Sequence, residues 1–226
     1  MSDNIKPFLN LSSAGKELAT KLLANGAKGD IIVLGIVTAG VPVAVEVART
    51  LKAPLDLVLI RRLLAPGGPG TQACAVNVAG HLVVDEHIPP RPEKPETPFD
   101  SFMEDALNAI TLRAEVCRGN RPPFELEGRS ILLVDCGIRT SLTMQAAIGA
   151  IRTLYPKSIT AATPVTSSEG CTVVEALADQ FIYLAAPEPF GNAGMWYRDF
   201  SRPGDEAIGQ LLASFAGQIQ GASGSA

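Results

Sequence analysis

Two apolar runs, Ile31–Ile36 and Leu55–Ile60, flank a helical stripe, and this constrains the chain more than any other feature. Each run is unbroken and rich in β-formers, the pattern of a strand covered on both faces. Between them Thr38-Ala39-Gly40 turns the chain, Pro42 suits a first helical turn, and Ala44, Val47, Ala48 and Leu51 form one apolar face. A strand–helix–strand unit of this kind requires a parallel pair with a right-handed crossover, and hence a layered α/β fold. The rhythm resumes at Ile131–Val134, Ile159–Thr163 and Phe181–Leu184, with helices expected at Thr143–Leu154 and Glu169–Leu177. We therefore expect a parallel, Rossmann-like sheet holding these five strands.

The remaining segments decorate that core. Ser12 or Ser13 is the expected cap of a first helix ending at Asn25-Gly26, and Ser168 that of the helix at Glu169. Ala65–Gly70 reads as a loop, Cys74–Val78 and His81–Val84 as a hairpin about Gly80, and Pro89–Pro98 as a stiff connector. A helix from Phe99 to Cys117 carries apolar residues at helical spacing, including Leu107, Ile110 and Ala114. A single domain over residues 1–218 is expected, with residues 73–121 as a small hood and 219–226 as a flexible tail after a surface helix at Gly204–Phe215.

The net charge is -4 and no local Lys/Arg run occurs, which argues against a nucleic-acid partner. The apolar runs are too short to span a bilayer. Met1–Lys6 lacks a signal-peptide core, so a cytoplasmic protein with reduced thiols at Cys74, Cys117, Cys136 and Cys171 is expected. Two histidines and no CxxC pair give no zinc signature.

The segment Ile131-Leu-Leu-Val-Asp-Cys-Gly-Ile-Arg-Thr-Ser-Leu-Thr143 carries the chemistry. A buried strand delivers Asp135 at its carboxyl edge, where open α/β sheets bind ligands. The backbone N–H groups from Thr140 to Thr143 and the hydroxyls of Thr140, Ser141 and Thr143 can converge on a phosphate at the helix N-terminus, with Arg139 as a charged donor. The same residues also suit an ordinary helix cap. Consecutive strand positions alternate, so Asp135 and Cys136 are expected to point to opposite sides.

This segment resembles the phosphoribosyl-diphosphate loop of the type I phosphoribosyltransferases. The resemblance runs from about Ala14 to Phe215 and is strongest to a bacterial branch of predicted phosphoribosyltransferases. It includes Gly40-Val-Pro-Val-Ala44, Ala53-Pro-Leu-Asp56, Arg61 with Ala65-Pro-Gly67, and Pro187-Glu-Pro-Phe190 with Trp196-Tyr-Arg-Asp-Phe200. It implies that Asp135 holds ribose hydroxyls and that Arg139, Thr140, Ser141, Leu142 and Thr143 wrap the 5-phosphate, Leu142 by its backbone. It also implies that Thr38, Ala39 and Gly40, with Arg61 or Arg62, face pyrophosphate. Phe190 and Trp196 fall where the family places base contacts. The implied reaction transfers ribose 5-phosphate from phosphoribosyl diphosphate to a nitrogen nucleophile such as a nucleobase, with substrate-bound magnesium and a homodimeric protein.

The chain departs from that pattern at several points. Cys136 replaces a second acidic residue, Arg139 an alanine, Ser141 the glycine of the Thr-Gly core and Leu142 a small residue, and the first loop lacks an arginine at Val37–Gly40. The local balance moves towards positive. The resemblance therefore supports two functions: an active transferase, or a catalytically degenerate module that binds a phosphosugar or nucleotide for regulation.

Overall fold

The computed structural model describes residues 6–64, 71–79, 81–86, 99–119 and 121–223. The Ala65–Gly70 loop, Gly80 and the Pro89–Pro98 connector lie outside the described residues. Seven strands form one sheet: β1 (Ile31–Ile36), β2 (Leu55–Leu64), β3 (Thr71–Val78), β4 (His81–Glu86), β5 (Ser130–Val134), β6 (Ser158–Val165) and β7 (Gln180–Ala185). Their order is β4-β3-β2-β1-β5-β6-β7. The five expected strands form the parallel part, with β1 beside both β2 and β5. β3 and β4 extend the sheet antiparallel beyond β2, so the region expected as a hood is hydrogen-bonded into the sheet through these two strands. β2 continues past Ile60 through Arg61–Leu64 because β3 pairs with it over Ala73–Ala75.

Strand alternation divides the core into two layers. On one face Val33, Leu57, Leu59, Leu132 and Val134 pack against α1 (Leu11–Ala24), α2 (Gly40–Leu51), α3 (Phe99–Arg118) and α6 (Asp205–Ser223). On the other, Ile32, Leu34, Ile36, Val58, Ile131 and Leu133 pack against α4 (Leu142–Arg152) and α5 (Ser168–Leu177). This explains the unbroken apolar runs, since side chains on both faces of β1, β5 and the first half of β2 meet a helix layer. The approach of α1 to α2 depends on Gly15, where a Cβ would lie 2.7 Å from the Val43 carbonyl oxygen. In α3, Ile110 and Ala114 are buried and Leu107 half-buried, as the helical spacing predicts.

The capping residues differ from expectation by one to three positions. Asn10 caps α1: its Oδ1 accepts from Ser13 N at 2.8 Å, while Ser13 Oγ accepts from Asn10 N at 3.0 Å. Ser167, not Ser168, caps α5 by accepting from Gly170 N at 3.0 Å. α6 runs on through 219–223, where a tail is expected; Gln218, Gln220 and Ala222 tolerate a helix, and residues 224–226 lie outside the described residues. No helix of the described residues is long and apolar enough to cross a membrane.

Polar pairs fasten α3 to its surroundings. Arg113 pairs with Asp205 of α6 through Nε at 2.8 Å and Nη2 at 2.8 Å. Arg118 Nε donates to Asp56 Oδ1 of β2 at 3.0 Å, and both side chains are buried. Removing one member of a buried ion pair strands the other's charge in a poorly hydrating interior, at a cost of about 3–5 kcal/mol. Arg118→Met is therefore expected to lose about that much stability in denaturant titrations. The double change Asp56→Leu with Arg118→Met should lie closer to the parent than Arg118→Met does. A single variant as stable as the parent would show that the pair contributes nothing to holding α3.

Candidate functional site

The chain leaves β1 and β5, neighbours in the sheet, towards opposite faces. α2 follows β1 into the first helix layer and α4 follows β5 into the second. Divergent loops above adjacent parallel strands open a crevice at the carboxyl edge, the usual ligand position in such sheets. A cavity of about 460 Å³ occupies this position. Its lining joins the loop after β1 (Thr38, Ala39), Arg62 of β2, the loop after β5 (Asp135 to Thr140, with Thr143) and a wall from the segment after β7 (Asn192–Gly194, Phe200, Arg202).

Close contacts hold these loops together. Gly40 opens α2 beneath the cavity, where a Cβ would fall 2.9 Å from the Val134 carbonyl oxygen and 3.1 Å from the Asp135 Cα. Only a residue without a side chain allows the first loop so near the end of β5. A Cβ on Gly137 would meet Ala193 Cβ at 2.7 Å, so the β5 loop and the far wall also touch. Tyr197 is buried and donates its hydroxyl hydrogen bond to the Cys136 carbonyl oxygen. Ser167 Oγ donates to the Arg139 carbonyl oxygen at 2.7 Å, tying the backbone of the loop after β5 to the cap of α5. The Val37–Thr38 peptide is cis.

Of the residues singled out in the sequence, Thr38, Ala39, Arg62, Asp135, Arg139, Thr140 and Thr143 line the cavity. Arg61 does not, because adjacent strand residues face opposite sides. Ser141 is buried, and its Oγ accepts from Gln145 Nε2 at 2.5 Å. Leu142 packs against the second core layer, which leaves its backbone as the part able to meet a ligand. The aromatic expectation needs correcting. Phe190 is 5% exposed in the core, and Trp196 packs against it with Nε1 donating to the Phe190 carbonyl oxygen at 2.9 Å. Burial and that bond hold both rings away from the lining, and Phe200 is the aromatic ring that reaches it. Arg202 and Asn192 also reach the lining and were not singled out, although the Trp196–Phe200 stretch pointed to their neighbourhood.

Electrostatically, among the described residues three guanidinium groups and one carboxylate share the lining. Asp135 keeps some exposure as a residue, yet burial is the dominant influence on its carboxyl and pushes it up to about 6, against the backbone N–H of Cys136 that donates to Oδ1 at 2.7 Å. Burial, then the adjacent Asp135 charge, raises the Cys136 thiol well above its ordinary range, so it is neutral near pH 7. The two side chains lie beside each other rather than on opposite sides. β5 ends at Val134, so strand alternation has lapsed by position 135. Among the described residues the Thr140 and Thr143 hydroxyls have no protein hydrogen-bond partner, and Arg139 and Arg202 have no carboxylate partner.

A family model described as the phosphoribosyl transferase domain matches residues 1–182. Two curated proteins from strains of Mycobacterium tuberculosis, each named "Putative phosphoribosyl transferase", are 31% identical over 208 residues. The match covers 92% of this chain and 47% of theirs, so the chain spans about half the length of these relatives. The crystal structure of TT1426 from Thermus thermophilus superposes with a TM-score of 0.74 at 32% identity, covering 92% of this chain and 99% of that one. With the parallel sheet, the crevice at its switch point and the loop after β5 already in place, these matches establish that the chain belongs to the phosphoribosyl transferase domain family.

Proposed function

We propose that the crevice binds phosphoribosyl diphosphate and transfers its ribose 5-phosphate to a nitrogen nucleophile, releasing pyrophosphate. The observation that carries this reading is the convergence of the Arg139–Thr143 loop, Asp135, the Thr38–Gly40 loop and Arg62 on one cavity. The 5-phosphate meets the N-terminus of α4, where unpaired backbone N–H groups, the Thr140 and Thr143 hydroxyls and Arg139 supply donors. Asp135 accepts from ribose hydroxyls. Thr38, Ala39 and Arg62 face the pyrophosphate. The acceptor nitrogen's lone pair forms the new bond to ribose carbon 1 as the carbon–oxygen bond breaks, and that electron pair leaves with pyrophosphate. A proton on the nitrogen passes to water. Fixed positive charge beside the leaving group lowers the barrier by stabilising charge as it develops.

The donor set fits a magnesium ion carried on substrate oxygens. Asp135 is the lining carboxylate able to hold such an ion or its waters, and no three His, Cys, Asp or Glu side chains cluster among the described residues. When bound, the ion would neutralise charge on the diphosphate.

Cys136 favours a second reading, a non-catalytic phosphosugar- or nucleotide-binding module, because its neutral thiol stands where the family has a second carboxylate. Calorimetric titration with phosphoribosyl diphosphate, with and without magnesium, followed by pyrophosphate release over a panel of bases, separates the two. The transferase reading expects magnesium-dependent binding and turnover. Absence of binding at millimolar ligand rejects it. Phosphate binding without phosphoribosyl diphosphate binding, with the latter conferred by Cys136→Asp, selects the second reading.

Two residue-level outcomes follow from the same geometry. Thr143→Ala removes one hydroxyl donor and should weaken phosphate binding by on the order of 1 kcal/mol, about fivefold; unchanged affinity removes Thr143 from the site. Asp135 binds its proton more tightly folded than unfolded, so stability falls as pH rises from the ordinary carboxylate range through about 6. Asp135→Asn is therefore expected to gain on the order of 2 kcal/mol at pH 7.5 while losing ribose binding. The gain should vanish near pH 4. A pH-independent difference in denaturant titrations would show that the carboxylate's burial carries no such cost.

A further inference from the structure

The wall after β7 carries groups that the phosphate and ribose contacts leave unused. Two glycines shape it. Gly137 lets the β5 loop touch Ala193, and Gly194 lets the Phe200 ring and the Asn192 carboxamide lie close over the short helical turn Ala193–Trp196, since a Cβ there would meet them at 3.0 and 3.2 Å. The guanidinium carbon of Arg202 stands 5.7 Å from the centre of the Phe200 ring. Arg202 is also near enough to Cys136 for its charge to act on that thiol, which places it by the ribose end of the site. The segment behind the wall is fixed to the N-terminal part of the chain: Phe8 N donates to the Trp196 carbonyl oxygen at 2.8 Å and Arg198 N to the Phe8 carbonyl oxygen at 2.8 Å. The wall is thus a built surface with one aromatic ring, one amide and one cation, and among the described residues Asp135 is the single carboxylate on the lining.

We infer that this wall receives a planar nitrogen acceptor bearing a carboxylate, with Arg202 as the residue that selects it. The inference rests on the reading that the crevice holds phosphoribosyl diphosphate, and deepens it by naming the acceptor class. A flat heteroaromatic ring gains contact with the Phe200 ring, while a ring carboxylate meets the planar fork of Arg202 in a charge-assisted pair. Asn192 supplies both a donor and an acceptor to ring heteroatoms. A neutral base in the same place would offer the Arg202 guanidinium no charge of its own to pair with. Discrimination is strong where a site presents a charged donor to a group that the competitor lacks.

Matched pairs test this: pyridine-3-carboxylate against its carboxamide, and uracil-6-carboxylate against uracil. Each is titrated calorimetrically into the full chain, alone and with phosphoribosyl diphosphate, alongside phosphoribosyl diphosphate by itself. The carboxylate of at least one pair is expected to bind about tenfold or more tightly than its neutral partner. Arg202→Gln should erase that preference, and Arg202→Lys should keep part of it, while affinity for phosphoribosyl diphosphate alone shifts by less than about threefold. Arg202 is exposed, so both variants should fold, and a thermal melt checks this. Equal or tighter binding of both neutral partners, no binding of any acceptor, or a preference that survives Arg202→Gln overturns the inference. So does a large loss of phosphoribosyl diphosphate affinity in Arg202→Gln, which would make Arg202 a phosphate contact. Failure of the parent to bind phosphoribosyl diphosphate, with an Arg202-dependent carboxylate preference intact, rejects the transferase reading and leaves the selective anion wall standing.

Discussion

The pairing of β1 with β5 is the constraint on which the rest depends. These strands are far apart in sequence, yet they run side by side in register from Ile31 opposite Ser130 to Gly35 opposite Val134. Because α2 and α4 lie on opposite faces, the loops above the two strands cannot close over each other, and a crevice is the geometric result. Gly40 then decides how narrow that crevice is at its base. Its backbone rests against the Val134 carbonyl and the Asp135 Cα, bringing the loop after β1 and the Asp135 carboxylate into one small volume.

Charge within that volume is arranged at a cost to the fold. Asp135 is held where burial disfavours its ionised form, with one backbone N–H of Cys136 in partial compensation. Such a group is poorly suited to structural duty and well suited to meeting a polyhydroxyl ligand. The surrounding arginines have the opposite character: Arg139 and Arg202 are exposed to water. The site is thus asymmetric, one buried acid among several hydrated cations. That asymmetry is what separates this chain from the doubly acidic pattern it resembles.

Most of the scaffold was legible in the sequence because a parallel sheet buried on both faces leaves an unmistakable trace: short uninterrupted apolar runs separated by helical periodicity. The hairpin at β3 and β4 was legible too, but not its attachment to β2, since Arg61 and Arg62 look like the start of a loop when only hydropathy is read. Their place in a strand follows from pairing with β3 opposite Ala75 and Cys74, a non-local fact. The strand–loop–helix at Ile131–Thr143 could be found from local order alone. Trp196 and Phe190 could not be excluded from the cavity, because two aromatic rings that pack on each other have the same composition as two that stack on a base. Phe200 and Arg202 enter the lining only through the turn built by Gly194, and Asn10 displaced Ser12 or Ser13 as a cap by a shift of two or three residues.

The bond from Tyr197 to the loop after β5 has a bearing on how such sites diversify. It ends on the carbonyl oxygen of residue 136, a group every amino acid carries, and not on the side chain. The wall after β7 is therefore moored to a feature that mutation cannot delete. A carboxylate can give way to a thiol at that position, and the mooring stays. Lineages built on this scaffold are free to exchange the reactive lettering of the pocket one character at a time while the page it is written on keeps its shape.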